Sequence, residues 1–261
     1  MLVAGVDVGS VSAEAVIMQN GQVRATSIVP TGASSRRAGE RALEVALGQA
    51  ALGLADLAYI VATGYGRAVL NFAHRQVTEI TCHARGAHHL FPDVGTVIDI
   101  GGQDSKVIRV DAKGAGSDFV MNEKCAAGTG RFLEVMARAL EVEVTDLQEL
   151  AYRAARPARI SSMCTVFAES EVVSLVAEDV PVEEIVAGLH AAIAERVSAM
   201  VHRVGVAPRV VMTGGVAKNG GVVRALEQRL NCTITVAPEP EMVGALGAAL
   251  LAGQYASRRV A

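Results

Sequence analysis

The feature of this sequence that most constrains its fold is a short pattern that occurs twice. An apolar run is followed by Asp, one further residue and Gly, first as Gly5-Val6-Asp7-Val8-Gly9 and again as Ile98-Asp99-Ile100-Gly101. A second β-rich run follows each copy, at residues 13–18 and 106–110. A pattern that recurs together with its flanking runs predicts a duplicated α/β unit.

Strands and helices are predicted to alternate along most of the chain. Apolar and β-rich runs predict strands at residues 2–8, 13–18, 22–29, 57–63, 96–100, 106–110, 209–213 and 232–236. Helical spacing predicts helices at residues 36–52, 81–91, 128–140, 145–155, 165–178, 182–204, 219–230 and 241–253. This order favours a parallel or mixed sheet covered on both faces. We expect an N-terminal lobe, residues 1–95, and a C-terminal lobe, residues 96–261, with a cleft between them.

Three turns that follow predicted strands have the composition of loops that bind phosphates and a nucleoside. Backbone N–H groups at such turns can hold phosphate oxygens, an Asp can hold a metal ion through water, and paired glycines admit a flat ring. The residues are Gly9, Ser10, Val11 and Ser12, then Gly101, Gly102, Gln103 and Asp104, and finally Gly214, Gly215, Val216 and Asn219. One such turn is more often only a tight turn, so the prediction depends on all three. The spacings of Walker loops and dinucleotide fingerprints do not occur.

Two of the four cysteines, Cys125 and Cys164, each precede a predicted helix. A helix N-terminus favours a thiolate, so the pair is suited to an electron-rich group. An iron–sulfur cluster normally takes four Cys, so such a ligand would require two more thiolates from a second subunit. Cys82 and Cys232 lack this setting and are expected in the core.

Composition excludes several classes of partner. The chain has 261 residues, 51% of them hydrophobic, with a net charge of -3 and an isoelectric point near 6.1, which gives no basic surface for nucleic acid or a membrane. No basic, apolar leader begins the chain and no run of 18 apolar residues occurs. We therefore expect a cytoplasmic protein with reduced thiols.

Several segments together carry a resemblance to known proteins. They are MNEKCAAGTGRFLEVMA, ISSMCTVFAESEV, ATGYGR, VIDIGGQDSKVI, MTGGVAKN and GALGAAL. The order of the three turns resembles the phosphate 1, phosphate 2 and adenosine segments of the acetate kinase, sugar kinase, Hsp70 and actin superfamily. Within it, the chain is similar to ATPase activators of 2-hydroxyacyl-CoA dehydratases and to related subunits of benzoyl-CoA reductase. The resemblance covers essentially the whole chain, and the two cysteine segments are its most specific part.

The resemblance implies two ribonuclease H-like, actin-like ATPase lobes around a nucleotide cleft, with ATP and Mg²⁺ as ligands. It implies a homodimer that holds one [4Fe-4S] cluster through Cys125 and Cys164 of each subunit. The cluster would carry electrons under anaerobic conditions. Reduced ferredoxin or flavodoxin would supply the electron, and an acyl-CoA dehydratase or reductase component would receive it. From their positions after the strands, Asp7 and Asp99 are predicted to organise Mg²⁺ and water, the alternative being that they only cap their turns. Gln103 and Asp104 are predicted near the γ-phosphate, although Asp104 could equally serve only the turn.

One residue departs from the family pattern. Glu14 stands where these activators usually have a lysine, so a carboxylate would repel phosphates unless Mg²⁺ intervenes or the side chain points away. A heterodimer with a homologous subunit therefore stays open. So do two other classes: a small-molecule kinase of the same fold, and a nucleotide-binding protein without a cluster.

For several further polar residues the sequence favours a structural or solvent-exposed role over a functional one. His83 lies on a predicted helix with His88 and His89, and these side chains cannot share one helical face with Cys82, so we expect a solvated helix. Lys106 is isolated and is expected to face water. Glu169 is either part of the family segment or only an acid in the first turn of a helix.

Overall fold

A computed structural model of the chain describes residues 1–123, 126–161 and 164–260. The ten strands of these residues form two five-stranded sheets. The strands are β1 (Leu2–Val8), β2 (Ser12–Gln19), β3 (Gln22–Pro30), β4 (Tyr59–Thr63), β5 (Arg75–Gln76), β6 (Thr96–Ile100), β7 (Ser105–Val110), β8 (Gly116–Asn122), β9 (Val210–Thr213) and β10 (Ile234–Val236). The helices are α1 (Ser35–Ala50), α2 (Glu79–Leu90), α3 (Gly130–Ala139), α4 (Leu147–Arg153), α5 (Thr165–Ala177), α6 (Val182–Val204), α7 (Gly220–Leu230) and α8 (Val243–Val260).

The two sheets repeat one topology, which confirms the predicted duplication. The first sheet has the order β3-β2-β1-β4-β5, and the second has the order β8-β7-β6-β9-β10. In each, the first strand pairs antiparallel with the second strand and parallel with the fourth. The chain therefore uses the same hairpin and the same parallel crossover twice.

Both sheets are covered on both faces. Alternate residues of β1 pack against α1, whereas Val3 packs with residues of α8. In the second sheet Ile98 and Ile100 face a large core formed with helices α3 to α7, and Val97 faces α2. This alternation follows from the period of two residues along a strand. It confirms the sheets predicted from the sequence.

Helices α2 and α8 cross each other between the two sheets. Helix α8 packs on β1 and β4, and α2 packs on α8 and on β6, β7 and β8. Their crossing is close because Gly247 faces the backbone of Cys82, where a Cβ atom on Gly247 would lie 1.8 Å from the Cys82 carbonyl oxygen. Only glycine fits there. The C-terminal helix thus packs on the sheet formed by the start of the chain.

The structure adds two strands that the sequence did not predict. Strand β5 has only two residues, and β8 carries exposed residues over most of its length, so neither produces a hydrophobic alternation. The lobe boundary near residue 95 falls between the last strand of the first sheet and the first strand of the second. The packing of α8 crosses that boundary, and the division into lobes stays a prediction. Among the described residues, no helix is long and apolar enough to cross a membrane.

Candidate functional site

A cleft with a volume of 990 Å³ lies where β1, β4, β6 and β9 end. It is lined by all the residues that the sequence assigned to nucleotide and water: Asp7, Gly9, Ser10, Val11, Ser12, Asp99, Gly101, Gly102, Gln103, Asp104, Gly214, Gly215, Val216 and Asn219. The fold thus brings three turns that are remote in sequence to one surface. Ligands of open α/β sheets bind at this end of parallel strands.

Each half of the molecule contributes an Asp that lies beside a buried Thr. Asp7 is in register with Thr63 on β4, and Asp99 is in register with Thr213 on β9. All four residues are buried. Thr213 Oγ1 donates a hydrogen bond of 2.8 Å to Asp99 Oδ1. The duplicated fold therefore presents two equivalent carboxylates to one cleft.

Glycines pack directly against both carboxylates. Gly64 and Gly214 follow the two threonines and adopt φ values of +82° and +83°, which disfavour any residue with a Cβ atom. A Cβ on Gly64 would lie 2.2 Å from Asp7 Oδ1, and one on Gly214 would lie 2.9 Å from Asp99 Oδ1. In the first turn of α8, a Cβ on Gly244 would lie 1.9 Å from Asp7 Oδ2. The absence of side chains at these three positions allows the backbone to pack directly against both carboxylates.

Lys106 belongs to the site, and the expectation that it faces water was wrong. It is 4% exposed, and its Nζ donates to Asp99 Oδ2 at 3.1 Å and to Asp104 Oδ1 at 2.8 Å. Although burial opposes its charge, the carboxylates of Asp99 and Asp104 raise the pKa of Lys106. Burial alone would raise the pKa of Asp99, but His83, Lys106 and the Thr213 hydroxyl lower it to about 2. Asp99 is therefore ionised at neutral pH.

His83 is buried between the two carboxylates, which corrects the prediction of a solvated helix at this position. Its Nδ1 lies 3.3 Å from Thr213 Oγ1 and 3.4 Å from Asp99 Oδ1. Its Nε2 lies 3.9 Å from Asp7 Oδ2. The other two histidines of α2, His88 and His89, are half-buried and exposed. Only tertiary packing distinguishes His83 from them, because all three have similar sequence surroundings.

Glu14 faces the cleft and does not point away from it. It is the cross-strand partner of Asp7, just as Lys106 is the cross-strand partner of Asp99. Glu14 is 4% exposed and lines the cleft. Burial, and then the nearby Asp7, raise the pKa of Glu14 to about 9, and burial raises the pKa of Asp7 to about 6. Glu14 is thus neutral at pH 7, which removes the repulsion expected from a carboxylate.

The two Asp-containing turns close in the same way. The Gly9 N–H donates to Ser12 O at 2.9 Å, and the Gly101 N–H donates to Asp104 O at 3.0 Å. These bonds define equivalent tight loops after β1 and β6. Gln103 and Asp104 belong to the second loop and, like Ser10 and Ser12 of the first, line the cleft.

The second of these loops is bonded to the start of α3. The Gly130 N–H donates to Gly101 O at 2.9 Å, and the Arg131 N–H donates to Gly102 O at 2.8 Å. Cys125, one of the two predicted cluster ligands, lies five residues before α3 and outside the described residues. The second loop is therefore hydrogen-bonded to the start of the helix that follows Cys125.

The third turn leads into α7. Asn219 precedes this helix, and its Oδ1 accepts from Gly221 N at 3.0 Å and from Val222 N at 3.2 Å. Its Nδ2 lies 3.3 Å from His190 Nε2, and burial lowers the pKa of His190 to about 4, so the ring is neutral and can accept. Asn219 is thereby held at the wall of the cleft.

Cys164 lies where the sequence placed it, immediately before α5. It is exposed, and α5 packs against α3. The next two residues after Thr165, Val166 and Phe167, are 68% and 67% exposed. Cys82 is buried, as expected. Within the ranges that the structure describes, no three His, Cys, Asp or Glu side chains are grouped to hold a metal ion.

Comparisons with known proteins agree over nearly the whole chain. The sequence profile of the BadF/BadG/BcrA/BcrD ATPase family matches residues 4–252. The chain is 49% identical to an activator of lactoyl-CoA dehydratase from Anaerotignum propionicum, over 99% of this chain and 100% of that protein. It is 47% identical to an (R)-2-hydroxyglutaryl-CoA dehydratase activating ATPase from Acidaminococcus fermentans, over 97% and 98%.

Solved structures give the same result. The activator of 2-hydroxyisocaproyl-CoA dehydratase from Clostridium difficile, solved with bound ADPNP, superposes with a TM-score of 0.93 at 45% identity, over 100% of this chain and 97% of that one. The ROK hexokinase of Thermus thermophilus, 18% identical over 98% and 99% of the two chains, has a TM-score of 0.51 and shows the fold alone. These neighbours confirm the predicted actin-like ATPase fold.

A more distant relative represents the second group suggested by the sequence. One of the subunits of benzoyl-CoA reductase from Thauera aromatica is 34% identical over 81% of this chain and 77% of that protein. The dehydratase activators match over a larger share of both chains and at higher identity.

Proposed function

Because this chain belongs to the BadF/BadG/BcrA/BcrD ATPase family, we propose that it is an ATP-hydrolysing activator of a 2-hydroxyacyl-CoA dehydratase. The chain would bind ATP in the cleft and deliver one electron at low potential to the dehydratase, which does the chemistry on the acyl-CoA. The observation that carries the proposal is the pair of equivalent carboxylates, Asp7 and Asp99, that converge on a cleft lined by three glycine-rich turns. The high identity to named dehydratase activators supports the choice of partner.

The residues of the cleft fit Mg²⁺ and ATP. Carboxylate oxygens are the ligands that Mg²⁺ prefers, and Asp7 and Asp99 would hold it and orient the attacking water. The first two turns would hold the phosphates through backbone N–H groups, with Gln103 and Asp104 near the γ-phosphate. Gly214, Gly215, Val216 and Asn219 would contact adenosine.

The described cysteine segment also fits a cluster ligand. Cys164 is exposed at the N-terminus of α5, a helix of 13 residues, where unpaired N–H groups favour a thiolate. Cys164 and Cys125 of two identical subunits would supply the four thiolates of one [4Fe-4S] cluster. When bound, the cluster supplies the one-electron carrier, which reduced ferredoxin or flavodoxin would load in an anaerobic cytoplasm.

Helix α5 supports a dimer at this place. Val166, Phe167 and Val173 are exposed along it, and such a row of apolar side chains is typical of an interface. A second copy of the chain would cover the row and supply the other two thiolates. A homologous chain, as in a benzoyl-CoA reductase, is the second candidate partner, and it is favoured only by the more distant similarity to the Thauera aromatica reductase.

The bonds between the second turn and α3 provide the coupling between the two sites. If the Gly101 and Gly102 carbonyls move when ATP binds, they carry Gly130 and Arg131 with them, and α3 packs on α5. ATP can drive such a change only if it binds the transfer-competent conformation more tightly than the resting one. ATP hydrolysis would then reset the helices.

Anaerobic reconstitution tests the cluster part of the proposal. Wild-type protein should be brown and contain about two iron atoms per chain, which is half of a four-iron cluster. Cys164→Ala should lose the iron and the activation of dehydratase while it retains ATP binding, because Cys164 does not line the cleft. Cys232→Ala is the matched control and should retain all three properties.

Two results would reject the proposal. Full iron content in Cys164→Ala would show that this thiolate is not a ligand. An iron-loaded wild type that hydrolyses ATP but reduces no purified 2-hydroxyacyl-CoA dehydratase would exclude that partner and favour a reductase component.

A further inference from the structure

The histidine of α2 that lies between the two carboxylates has no place in the three-turn site predicted from the sequence. His83 comes from neither a phosphate turn nor the adenosine segment, yet its two ring nitrogens face Asp7 and Asp99. These carboxylates end the first strands of two different sheets. His83 therefore lies next to the carboxylates of both halves of the site.

Hydrogen bonding fixes the ring on the side of the second sheet. The Thr213 hydroxyl donates its proton to Asp99 Oδ1 at 2.8 Å. The Thr213 oxygen can then only accept from the Nδ1–H of His83, at 3.3 Å. The bond from Thr213 to Asp99 thus assigns the proton to Nδ1 of His83, and the bond from Nδ1 to Thr213 fixes the orientation of the imidazole ring.

The opposite ring nitrogen faces the first sheet across a small gap. His83 Nε2 lies 3.9 Å from Asp7 Oδ2, which is beyond a direct hydrogen bond but within reach of a small closing movement. Gly244 of α8 borders the gap, since a Cβ atom there would lie 1.9 Å from Asp7 Oδ2 and 3.0 Å from His83 Nε2. A residue with a side chain would not fit in place of Gly244 between the His83 ring and the Asp7 carboxylate.

The backbone of α2 is also held in place. Gly247 of α8 packs against the carbonyl of Cys82, the residue before His83. Gly86 makes a reciprocal contact, because a Cβ atom on it would lie 2.1 Å from Val243 O. These two glycine contacts therefore position the backbone of His83 relative to helix α8, while the hydrogen bond to Thr213 orients the His83 ring.

We propose that His83 is a positioning residue that holds Asp7 and Asp99 at the separation required by Mg²⁺ and ATP. The inference rests on the proposed function, because it assumes that these carboxylates organise Mg²⁺ and water. Without the ring, Asp99 would keep its bonds to Thr213 and Lys106, and Asp7 its packing against Gly64 and Gly244, but the side chain that lies between the two carboxylates would be lost. Residues that orient metal-binding groups typically contribute 10- to 100-fold to affinity or activity.

The test compares His83→Ala with His83→Asn and with the control His89→Ala, an exposed histidine on the same helix. Binding of a non-hydrolysable ATP analogue is measured by calorimetry across a Mg²⁺ titration, and ATP hydrolysis is measured separately. In His83→Ala we expect kcat to fall about 30-fold and the Mg²⁺ concentration for half-maximal analogue binding to rise about tenfold. KM for ATP at saturating Mg²⁺ should change less than about threefold, because the phosphate turns remain.

His83→Asn separates positioning from a merely structural role. The Asn amide can keep the donor to Thr213, but it is too short to reach toward Asp7. It should restore the thermal stability of the wild type and keep the defects in kcat and Mg²⁺ dependence. If His83→Asn or His83→Ala shows both the kcat and the Mg²⁺ dependence of the wild type, the proposal for His83 is wrong. A wild type that binds no analogue contradicts the proposed function instead.

Discussion

Glu14 and Lys106 occupy equivalent positions in the two halves of the molecule, and they carry opposite functional groups. Each is the cross-strand partner of the Asp that ends the neighbouring strand. Lys106 forms ion pairs that hold the carboxylate of Asp99 charged, whereas Glu14 can only avoid repulsion from Asp7 by keeping its proton. The first carboxylate is thus the more easily protonated of the two, with its pKa raised to about 6.

The raised pKa of Glu14 predicts how stability depends on pH. An unfolded chain holds Glu14 near its ordinary pKa of 4.5, and the folded chain near about 9, so folding takes up a proton between these values. The stabilisation is therefore complete below pH 4.5 and is lost as the pH rises toward 9. Glu14→Gln cannot ionise, so its free energy of unfolding relative to the wild type should rise by about 4 kcal/mol from pH 5 to pH 8, at about 1.4 kcal/mol for each pH unit.

Urea unfolding at a series of pH values measures this difference directly. Glu40→Gln, a change of an exposed glutamate on α1, serves as the control and should leave the pH profile of the wild type unchanged. Parallel profiles for Glu14→Gln and the wild type would show that Glu14 ionises normally in the folded protein.

Helices α2 and α8 determine how the two halves of the site are held together. Helix α8 lies on the first sheet, α2 lies on the second, and their crossing carries His83 to the carboxylates. The crossing depends on glycine at the point of contact, where the backbone of one helix packs against the backbone of the other. Because protein interiors are close-packed, an added methyl group at this contact would force the two helices apart.

Gly247→Ala should therefore destabilise the protein although alanine is the better helix former. The added Cβ atom would lie 1.8 Å from the Cys82 carbonyl oxygen, so the helices must separate, at a cost of about 3 kcal/mol. Gly253→Ala, on the same helix, has no atom within 4 Å of the new Cβ and should stabilise by about 1 kcal/mol. Urea unfolding compares the two variants, and equal effects would contradict the packing argument.

The elements were largely predictable because their signals are local. Strands β1, β2, β6 and β9 and helix α6 are long or apolar enough for their periodicity to appear in the sequence. Asp7 and Asp99 follow from the same signals, because each stands at the end of an apolar strand. The antiparallel pairing of β6 with β7 would also have identified Lys106 as the cross-strand partner of Asp99.

His83 could not be found in this way. Its position depends on the crossing of α2 with α8, which is set by contacts between residues far apart in sequence, such as Cys82 and Gly247, 165 positions apart. No period within α2 distinguishes His83 from its neighbours, because burial there is decided by the packing of the two sheets. The sequence predicts what each element is, and the tertiary contacts decide which polar side chains enter the cleft.

At the scale of the whole molecule, helix α3 joins the cleft to the described cysteine segment. The second turn bonds to α3, α3 packs against α5, and Cys164 stands at the start of α5. On the far side of α5, apolar side chains face outward. A second protein chain that covers them would therefore contact α5, the helix to which the proposed nucleotide-driven movement would be passed by α3.

Phe167→Lys should weaken this association. Phe167 is two-thirds exposed on α5, three residues after Cys164, so a lysine there leaves the fold intact but places a charge in the interface of the proposed dimer. We expect the anaerobic, iron-loaded protein to shift from dimer to monomer in light scattering and to lose most of its iron, since one chain cannot complete a four-thiolate site. Leu54→Lys, an equally simple change of an exposed apolar residue in the first half of the chain, should alter neither mass nor iron content. If Phe167→Lys remains a fully loaded dimer, the two chains associate through another face of the molecule.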